Sequence, residues 1–97
     1  MMLARRIQRQ QRYLDDLRAT GVREDDPRLA FFFEMICHHP RLREARWIGS
    51  HERGALYAYR SAAGAAAPPV TVYFVVAPVN ANLVYLEGLM CKASSEA

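Results

Sequence analysis

The stretch GALYAYRSAAGAAAPPVTVYFVV, residues 54–76, decides the fold, because it predicts two β-strands joined by a connection of small residues. Residues 55–61 alternate aromatic and smaller side chains, and residues 70–79 are almost continuously β-prone. The segment 62–69 between them contains one glycine and two prolines, which favour a mobile surface loop. Arg60 stands where the first strand ends, so the hairpin either presents a reactive surface or simply completes a sheet.

Two further segments extend this hairpin into a β-meander. Residues 45–50, ARWIGS, form a short apolar stretch, and residues 82–90, NLVYLEGLM, are again rich in β-prone side chains. A turn at 78–82 joins the last strand to the one before it, since asparagine tolerates a positive φ. The strand at 70–77 is apolar on both faces, which predicts a central position in the sheet. We expect Trp47 to lie in the core.

The N-terminal part of the chain predicts two helices. Residues 3–19 lack glycine and proline and place apolar side chains near one stripe, and Gly21 is a stop signal. Asp26, which precedes a proline, is a typical N-cap for a second, largely apolar helix over residues 27–39. We therefore expect an α+β domain spanning residues 1–97, in which an N-terminal helical hairpin packs on a three- to four-stranded antiparallel sheet.

The charge of the chain is unevenly distributed. Its formal net charge is +3, all of its arginines lie within residues 1–60, and its only lysine is Lys92. In the predicted first helix Arg5, Arg9 and Arg12 follow one another at helical spacing and so share a face. Such a face can bind phosphate groups or an acidic protein partner, because guanidinium groups pair with both anions, or it can simply be solvated.

Several classes of protein are disfavoured by the sequence. The N-terminal residues carry charges every few positions, which is untypical of a signal peptide, and no apolar run approaches the length of a membrane span. The chain has only two cysteines, Cys37 and Cys91, so we expect a cytoplasmic, reduced protein with no membrane partner. Its cysteines and histidines lack the spacing of a metal site, and a glycine-rich phosphate loop is missing, so we expect no metal and no cofactor.

Phosphate chemistry without a metal remains compatible with the sequence. Cleavage of RNA through its own 2′-hydroxyl group needs a base, an acid and cations near the phosphate. Alternation puts Leu56, Ala58 and Arg60 on one face of their strand, and Tyr85 shares a face with Glu87. The polar candidates on the predicted sheet are Arg46, His51, Arg53, Tyr57, Tyr59, Arg60, Tyr73, Tyr85, Glu87 and Lys92. The tyrosines equally fit cross-strand packing pairs, and Arg60 equally fits a structural ion pair.

The succession RLREARWIGSHERGALYAYR, then VTVYFVV, then LVYLEGLMCK resembles the C-terminal half of the RelE/HigB/ParE-type toxins of bacterial toxin–antitoxin pairs, over roughly residues 40–92. Those toxins have a helical hairpin over a curved antiparallel sheet. They usually have a strand before the first helix, which the charged N-terminal segment here does not predict. By the resemblance Arg60 takes the place of a phosphate-binding arginine, and Tyr73 that of a tyrosine in the second strand.

Three positions depart from the pattern of these toxins. Val70 stands where the second strand would begin with an arginine, Glu87 replaces a histidine, and Cys91 replaces one of the lysines. Lys92 is retained. The strand pattern of the family is therefore better preserved in this sequence than its catalytic and substrate-binding residues.

The resemblance implies a toxin that cleaves mRNA on the ribosome without a metal and that has an antitoxin as its acidic protein partner. The residues that it and the residue pattern together suggest as catalytic are Arg60, Glu87, Tyr85 and Lys92. Those suggested for phosphate binding are Arg46, Arg53 and His51, with His51 also a possible proton carrier. Those suggested for partner binding are Arg5, Arg9 and Arg12. The alternative is a non-catalytic interaction module with the same fold. It would bind and inhibit a protein, such as a gyrase-like target, an antitoxin or the target of a phage-versus-host inhibitor. A chain of this size also suits a homodimer.

Overall fold

The computed structural model describes residues 5–38, 45–61, 68–78 and 82–91, and within them the chain is an α+β protein with two helices and one five-stranded mixed sheet. The elements in chain order are β1 (Arg6–Arg9), α1 (Gln11–Thr20), α2 (Pro27–His38), β2 (Ala45–His51), β3 (Gly54–Arg60), β4 (Val70–Val76) and β5 (Leu83–Cys91). The strand order across the sheet is β1-β5-β4-β3-β2. The expected loop and turn at 62–67 and 79–81, the end of the second predicted helix at His39, and Lys92 lie outside the described residues.

The prediction of a helix over residues 3–19 is wrong at its start, because residues 6–9 form β1. This strand pairs in parallel with β5, from Arg6 opposite Leu83 to Arg9 opposite Leu86. The pairing is long-range, so the helix-compatible local sequence does not reveal it. The helix α1 then begins at Gln11 and ends where the sequence predicts, at Gly21, whose φ of 76° is left-handed.

The strands β2 to β5 pair antiparallel in succession, and β4 occupies the central position that its apolar faces predict. The expectation of a three- to four-stranded antiparallel sheet is wrong in one respect, since β1 adds a fifth strand that runs parallel to its neighbour. Two bulges interrupt the ladders. Ile48 is the additional residue of β2, and Glu87 is the additional residue of β5.

The core lies between α2 and one face of the sheet, which we call the covered face. Phe32 of α2 contacts both Phe74 of β4 and Tyr59 of β3, with ring centroids 5.4 Å apart in each case. Tyr13 and other apolar residues of α1 join the same cluster. The expectation that Trp47 lies in the core is wrong, since 60% of its surface is exposed. It stands opposite Tyr57 on the edge strand β2, at the margin of the sheet.

The helix α1 continues along the edge of β5 where β1 ends. The backbone N–H of Gln10 donates to the carbonyl oxygen of Leu86 at 3.0 Å, and one turn later Asp16 Oδ2 accepts the backbone N–H of Leu89 at 2.9 Å. Gly88 makes this approach possible, because a Cβ there would lie only 3.2 Å from Asp16 Oδ2. The pairing of β1 with β5 ends at Leu86, and beyond it the Asp16 side chain accepts a backbone N–H of β5 in place of a strand.

A polar cluster joins β1, α1 and the connection between the helices. Arg9 and Tyr13 both bind Glu24: the Arg9 side chain through paired hydrogen bonds at 2.9 Å, and the Tyr13 hydroxyl as a donor at 2.7 Å. Burial raises the pKa of the Tyr13 hydroxyl well above its ordinary value, and its bond to Glu24 adds to the effect. Burial alone would raise the pKa of Glu24, but the hydrogen bonds from Arg9 and Tyr13 lower it overall. The carboxylate therefore stays charged and anchors both donors.

Within the described residues, no helix is long and apolar enough to cross a membrane.

Candidate functional site

The face of the sheet opposite the covered face is open, and its residues form rows across the strands. One row, which we call the central row, runs from β5 to β2 and consists of Gly88, Tyr73, Ala58 and Arg46. The adjacent row ends on β3 and consists of Met90, Thr71 and Arg60. Because residues that stand opposite each other in antiparallel strands point to the same side, each row presents its side chains to the same space.

Two adjoining concavities occupy this open face. The β5 concavity, about 520 Å³, is lined by Arg12, Asp16, Ile48, His51, Leu56, Tyr73, Glu87, Gly88, Leu89 and Met90. The β2 concavity, about 410 Å³, is lined by Arg46, Ile48, Ala58, Arg60, Thr71 and Tyr73. They meet at Ile48 and Tyr73, which line both. We call the two together the groove; each has the volume of a typical ligand site.

The β2 concavity is basic. Arg46 and Arg60 line it, both are exposed, and among the described residues its lining includes no acidic side chain. Arg60 does not form a structural ion pair with Glu52 or Glu87, which instead lie 3.9 Å and 3.5 Å from Arg53. Across the described part of the chain, Arg46 and Arg60 have no ion-pair partner. Both guanidinium groups are therefore available to an anion.

The tip of the β2–β3 hairpin reaches over the open face to β5. Arg53 Nη1 lies 3.5 Å from Glu87 Oε2, and His51 Nε2 lies 3.8 Å from Glu87 Oε1. In the sheet, β3 and β4 separate β5 from His51, which lies at the end of β2, so the contact of His51 with Glu87 requires a strongly curled sheet. The Glu87 side chain, only 17% exposed, lies between the Arg53 guanidinium and the His51 ring at the wall of the β5 concavity.

The orientation of the His51 ring follows from its backbone contact. Its Nδ1 accepts the backbone N–H of Arg53 at 3.1 Å, so the neutral ring carries its proton on Nε2, the nitrogen that faces Glu87. A ring in this state has no free lone pair toward the groove. His51 is thus suited to holding the Glu87 carboxylate in place rather than to accepting a proton from a substrate.

The four tyrosines of the sheet have different roles. Tyr57 and Tyr59 lie on the covered face. Tyr57 stacks on Phe74, its partner in β4, as the cross-strand interpretation predicts, whereas the Tyr59 ring packs on Phe32 of α2. The Tyr85 ring lies beneath the guanidinium of Arg53, 5.6 Å from its centroid, in a cation–π contact. Tyr73 alone among them lines both concavities.

The three N-terminal arginines do not share a face, so that prediction is wrong. Arg5 precedes β1, where its Nη1 donates to the carbonyl oxygen of Ile36 at 3.1 Å, and burial lowers its pKa. Arg9 belongs to β1, and its hydrogen bonds to Glu24 raise its pKa. Arg12 alone lies on α1, exposed and directed to the β5 concavity. The strand β1 separates what a continuous helix would have aligned.

Two contributors to the groove could not be placed there from the sequence. The sequence predicts Arg12 on an arginine face of the first helix and does not single out Ile48; both line the groove because of the β1–α1 junction and the β2 bulge. The glycine after Ile48 is a signal that could have indicated the bulge. Among the described residues, no group of three or more histidine, cysteine, aspartate or glutamate side chains could hold a metal ion, and both cysteines have free thiols.

Comparison of the chain with protein-family models, with curated proteins and with solved structures found no significant match.

Proposed function

We propose that this chain is a RelE/HigB-like toxin that cleaves mRNA in the groove by metal-independent attack of the RNA's own 2′-hydroxyl group. The observation that carries the proposal is the composition of the groove. Connected concavities on one face of the sheet are lined by Arg46 and Arg60, which have no ion-pair partner among the described residues, and by Tyr73 and the oriented carboxylate of Glu87. These are the cations and proton carriers that the reaction requires.

The arrangement of the elements is compatible with the family resemblance. The RelE/HigB/ParE-type toxins usually have a strand before the first helix, and β1 occupies that place here. The two helices precede an antiparallel run of strands, and the sheet is curved, as the contacts between the hairpin tip and Glu87 require. Val70, which replaces the arginine of the family pattern, is fully buried on the covered face and contributes nothing to the groove.

The proposed reaction assigns one role to each side chain. The Glu87 carboxylate accepts the proton of the 2′-hydroxyl, the 2′-oxygen bonds to phosphorus, and the bond from phosphorus to the 5′-oxygen breaks. The Tyr73 hydroxyl donates a proton to the departing 5′-oxygen, and water returns the proton from Glu87 to Tyr73. Arg46 and Arg60 bind the non-bridging phosphate oxygens, where negative charge increases in the transition state. His51 and Arg53 act as positioning residues for Glu87.

The test uses a radiolabelled mRNA on translating ribosomes and the same RNA free in buffer with a chelator. We expect cleavage that leaves a 2′,3′-cyclic phosphate, and we expect a 2′-O-methyl group at the cleaved nucleotide to abolish it. Arg60→Ala and Glu87→Gln should each lower the rate about 10²-fold or more, as loss of a charged contact or of a base does. Arg23→Ala is the matched control, because Arg23 is highly exposed and its one ion pair among the described residues is with Asp25, outside the groove.

If the RNA stays intact at high concentrations of the wild-type protein, both on ribosomes and free, the proposed ribonuclease activity is rejected. If Arg60→Ala and Arg23→Ala lower the cleavage rate equally, the groove is not the site of cleavage.

The second candidate function is the interaction module without a reaction, and one observation favours it. Trp47 and Phe31 are 60% and 49% exposed, and both border the Tyr57–Tyr59 part of β3 on the covered face. Large exposed apolar side chains of this kind occur at protein interfaces. RNA that stays intact in the assay above, together with stoichiometric retention of an acidic protein, would favour this function over cleavage.

A further inference from the structure

We infer that the groove takes a single-stranded nucleic acid that crosses the strands, and that Arg12 of α1 is a second phosphate anchor at its β5 end. The inference rests on the proposed function, since it names how the substrate lies in the same groove. It adds a binding residue that lies on a helix rather than on the sheet.

The position of Arg12 carries the inference. Its Nε would lie 4.0 Å from a Cβ built on Gly88, the residue at the β5 end of the central row. At the opposite end of the same row stands Arg46. Arg12 is exposed and has no ion-pair partner within the part of the chain that the structure describes. Unpaired guanidinium groups thus stand at both ends of one row.

The length of the row determines the kind of ligand. Three inter-strand steps separate Gly88 from Arg46, about 14–15 Å at the usual spacing of strands. A mononucleotide carries its phosphates at one end, whereas an oligonucleotide can place one phosphate near each arginine. Stacked nucleotides rise about 3.4 Å each, so roughly four of them span the row. The ligand is therefore an oligonucleotide.

The middle of the row has the character of a base-binding surface. Tyr73 stands between the two ends and lines both concavities, and the small Ala58 next to it leaves space above the sheet. Aromatic side chains in basic grooves stack with bases of single strands with little sequence preference. Asp16 and Glu87 both line the β5 concavity, and both carboxylates have partners: Asp16 Oδ2 accepts the Leu89 N–H, and Glu87 lies 3.5 Å from Arg53 and 3.8 Å from His51.

The experiment measures binding of fluorescent 2′-O-methyl oligonucleotides, which cannot be cleaved, at lengths of one, two, four and eight nucleotides and over a series of salt concentrations. We expect wild-type affinity to rise steeply up to about four nucleotides. Arg12→Ala should weaken binding of the four-nucleotide ligand about tenfold, as for loss of a charged hydrogen bond. It should also reduce the salt slope by about 0.7, the value of one phosphate contact on a single strand.

Matched variants make the result specific. Arg12→Lys should retain most of the salt slope, because it keeps the charge. Arg18→Ala removes a charge from the same helix, where Arg18 is 78% exposed and contributes nothing to the groove, and should leave binding unchanged. Mononucleotide binding should be the same in the wild type and in Arg12→Ala.

Three results would overturn the inference. Arg12→Ala could behave like Arg18→Ala while Arg46→Ala and Arg60→Ala still weaken binding; this leaves the proposed function intact. Affinity could be independent of oligonucleotide length. A glutamate-rich peptide of equal charge could bind as tightly, which would assign the groove to an acidic protein. Failure of the wild type to bind any oligonucleotide would instead reject the proposed function itself.

Discussion

At the scale of single residues, Gly54 is the position on which the hairpin tip depends most. Its φ is 151°, and a Cβ there would overlap the carbonyl oxygen of Val76 and touch the side chain of Pro78. The conflict involves backbone rather than a flexible side chain, so it cannot be relieved by a change of rotamer. Gly54 follows His51 and Arg53, the two residues that hold Glu87. Its conformation therefore affects both stability and the geometry of the groove.

Gly54→Ala should lower the free energy of unfolding by about 1–3 kcal/mol, the range for a residue forced into an unfavourable backbone conformation. It should also reduce RNA cleavage, because the hairpin tip must shift away from Val76. Gly49→Ala is the control: Gly49 is on the same hairpin, and a Cβ there meets nothing within 4 Å. Chemical denaturation of the two variants checks this, and equal stabilities would contradict it.

The residues of the site were more predictable than their contacts. Alternation along β3 correctly separates Arg60 from Tyr57 and Tyr59, because strand periodicity is a local property. It does not reveal that Glu87 is a bulge residue, or that its partners come from a turn two strands away. Trp47 shows the same limit, since its apolar character predicts burial but its edge position leaves it exposed.

At the scale of elements, the junction of β1 and α1 is the most informative part of the fold. Of the four residues of β1, RIQR, only Ile7 strongly favours a strand, so the parallel pairing with β5 is what makes the segment a strand. Helix propensity and apolar spacing extend across the junction, so a reading of local sequence predicts one long helix. The physical cause of the difference is the unpaired edge of β5, which takes backbone partners from residues 6–10 before the helix begins.

Asp16 is the residue that fixes α1 on this edge, and Asp16→Ala should lower the free energy of unfolding by about 1–3 kcal/mol. The backbone N–H of Leu89, a buried residue, would lose its partner at 2.9 Å, and an unsatisfied buried donor costs about this much. Hydrogen exchange at the Leu89 amide should accelerate. Asp16→Asn keeps an accepting oxygen and should be milder.

The control for this prediction is Asp15→Ala. Asp15 is the neighbour of Asp16 on α1, but its carboxylate is 56% exposed, bonded to Gln11 and 4.0 Å from Arg18. If Asp15→Ala is as unstable as Asp16→Ala, helix α1 is sensitive to any such change, and the hydrogen bond from Leu89 to Asp16 does not account for the loss of stability.

At the scale of the whole molecule, the groove exists because the sheet curls and because α1 borders it. The α+β class, the β-prone segments and most of the polar residues that line the open face could be predicted from the residue pattern. The groove itself could not be predicted, because register across β5, β4, β3 and β2 brings Tyr73 and Arg46 into one row, and the packing of α1 on β5 places Arg12 beside Gly88 at the end of that row. Register in turn depends on two bulges, each of which shifts the pairing by one residue.

A second long-range connection joins the start of α2 to the segment before β4. Asp26 caps α2 by accepting the backbone N–H of Arg28 at 2.8 Å, and it also pairs with the Arg28 side chain at 2.9 Å. Arg28 Nη1 donates in addition to the carbonyl oxygen of Pro68 at 2.7 Å and approaches Cys91 Sγ at 3.6 Å. The hydrogen bond to Asp26 raises the pKa of Arg28. One ion pair thus connects α2 with both β4 and β5.

This connection makes the stability of the protein acid-sensitive in a defined range. Hydrogen bonds from the Arg28 side chain and backbone lower the pKa of Asp26 to about 2 in the folded state, below its value of about 3.9 in an unfolded chain. The unfolded state therefore binds more protons between these two values, and the free energy of unfolding falls as the pH drops from about 4 to about 2. Above about pH 4 the contribution of Asp26 is fully present.

Asp26→Asn tests this effect, because asparagine is an equally good N-cap but cannot form the ion pair. In urea titrations the wild type should be more stable than Asp26→Asn at pH 6, and the difference should shrink between pH 4 and pH 2. Glu24 gives the wild type and the variant the same additional loss at low pH, so it cancels in the comparison. Asp25→Asn, at a 71% exposed carboxylate paired only with Arg23, should show no such convergence. A wild-type advantage over Asp26→Asn that stays constant to pH 2 would mean that the charge of Asp26 does not stabilise the fold.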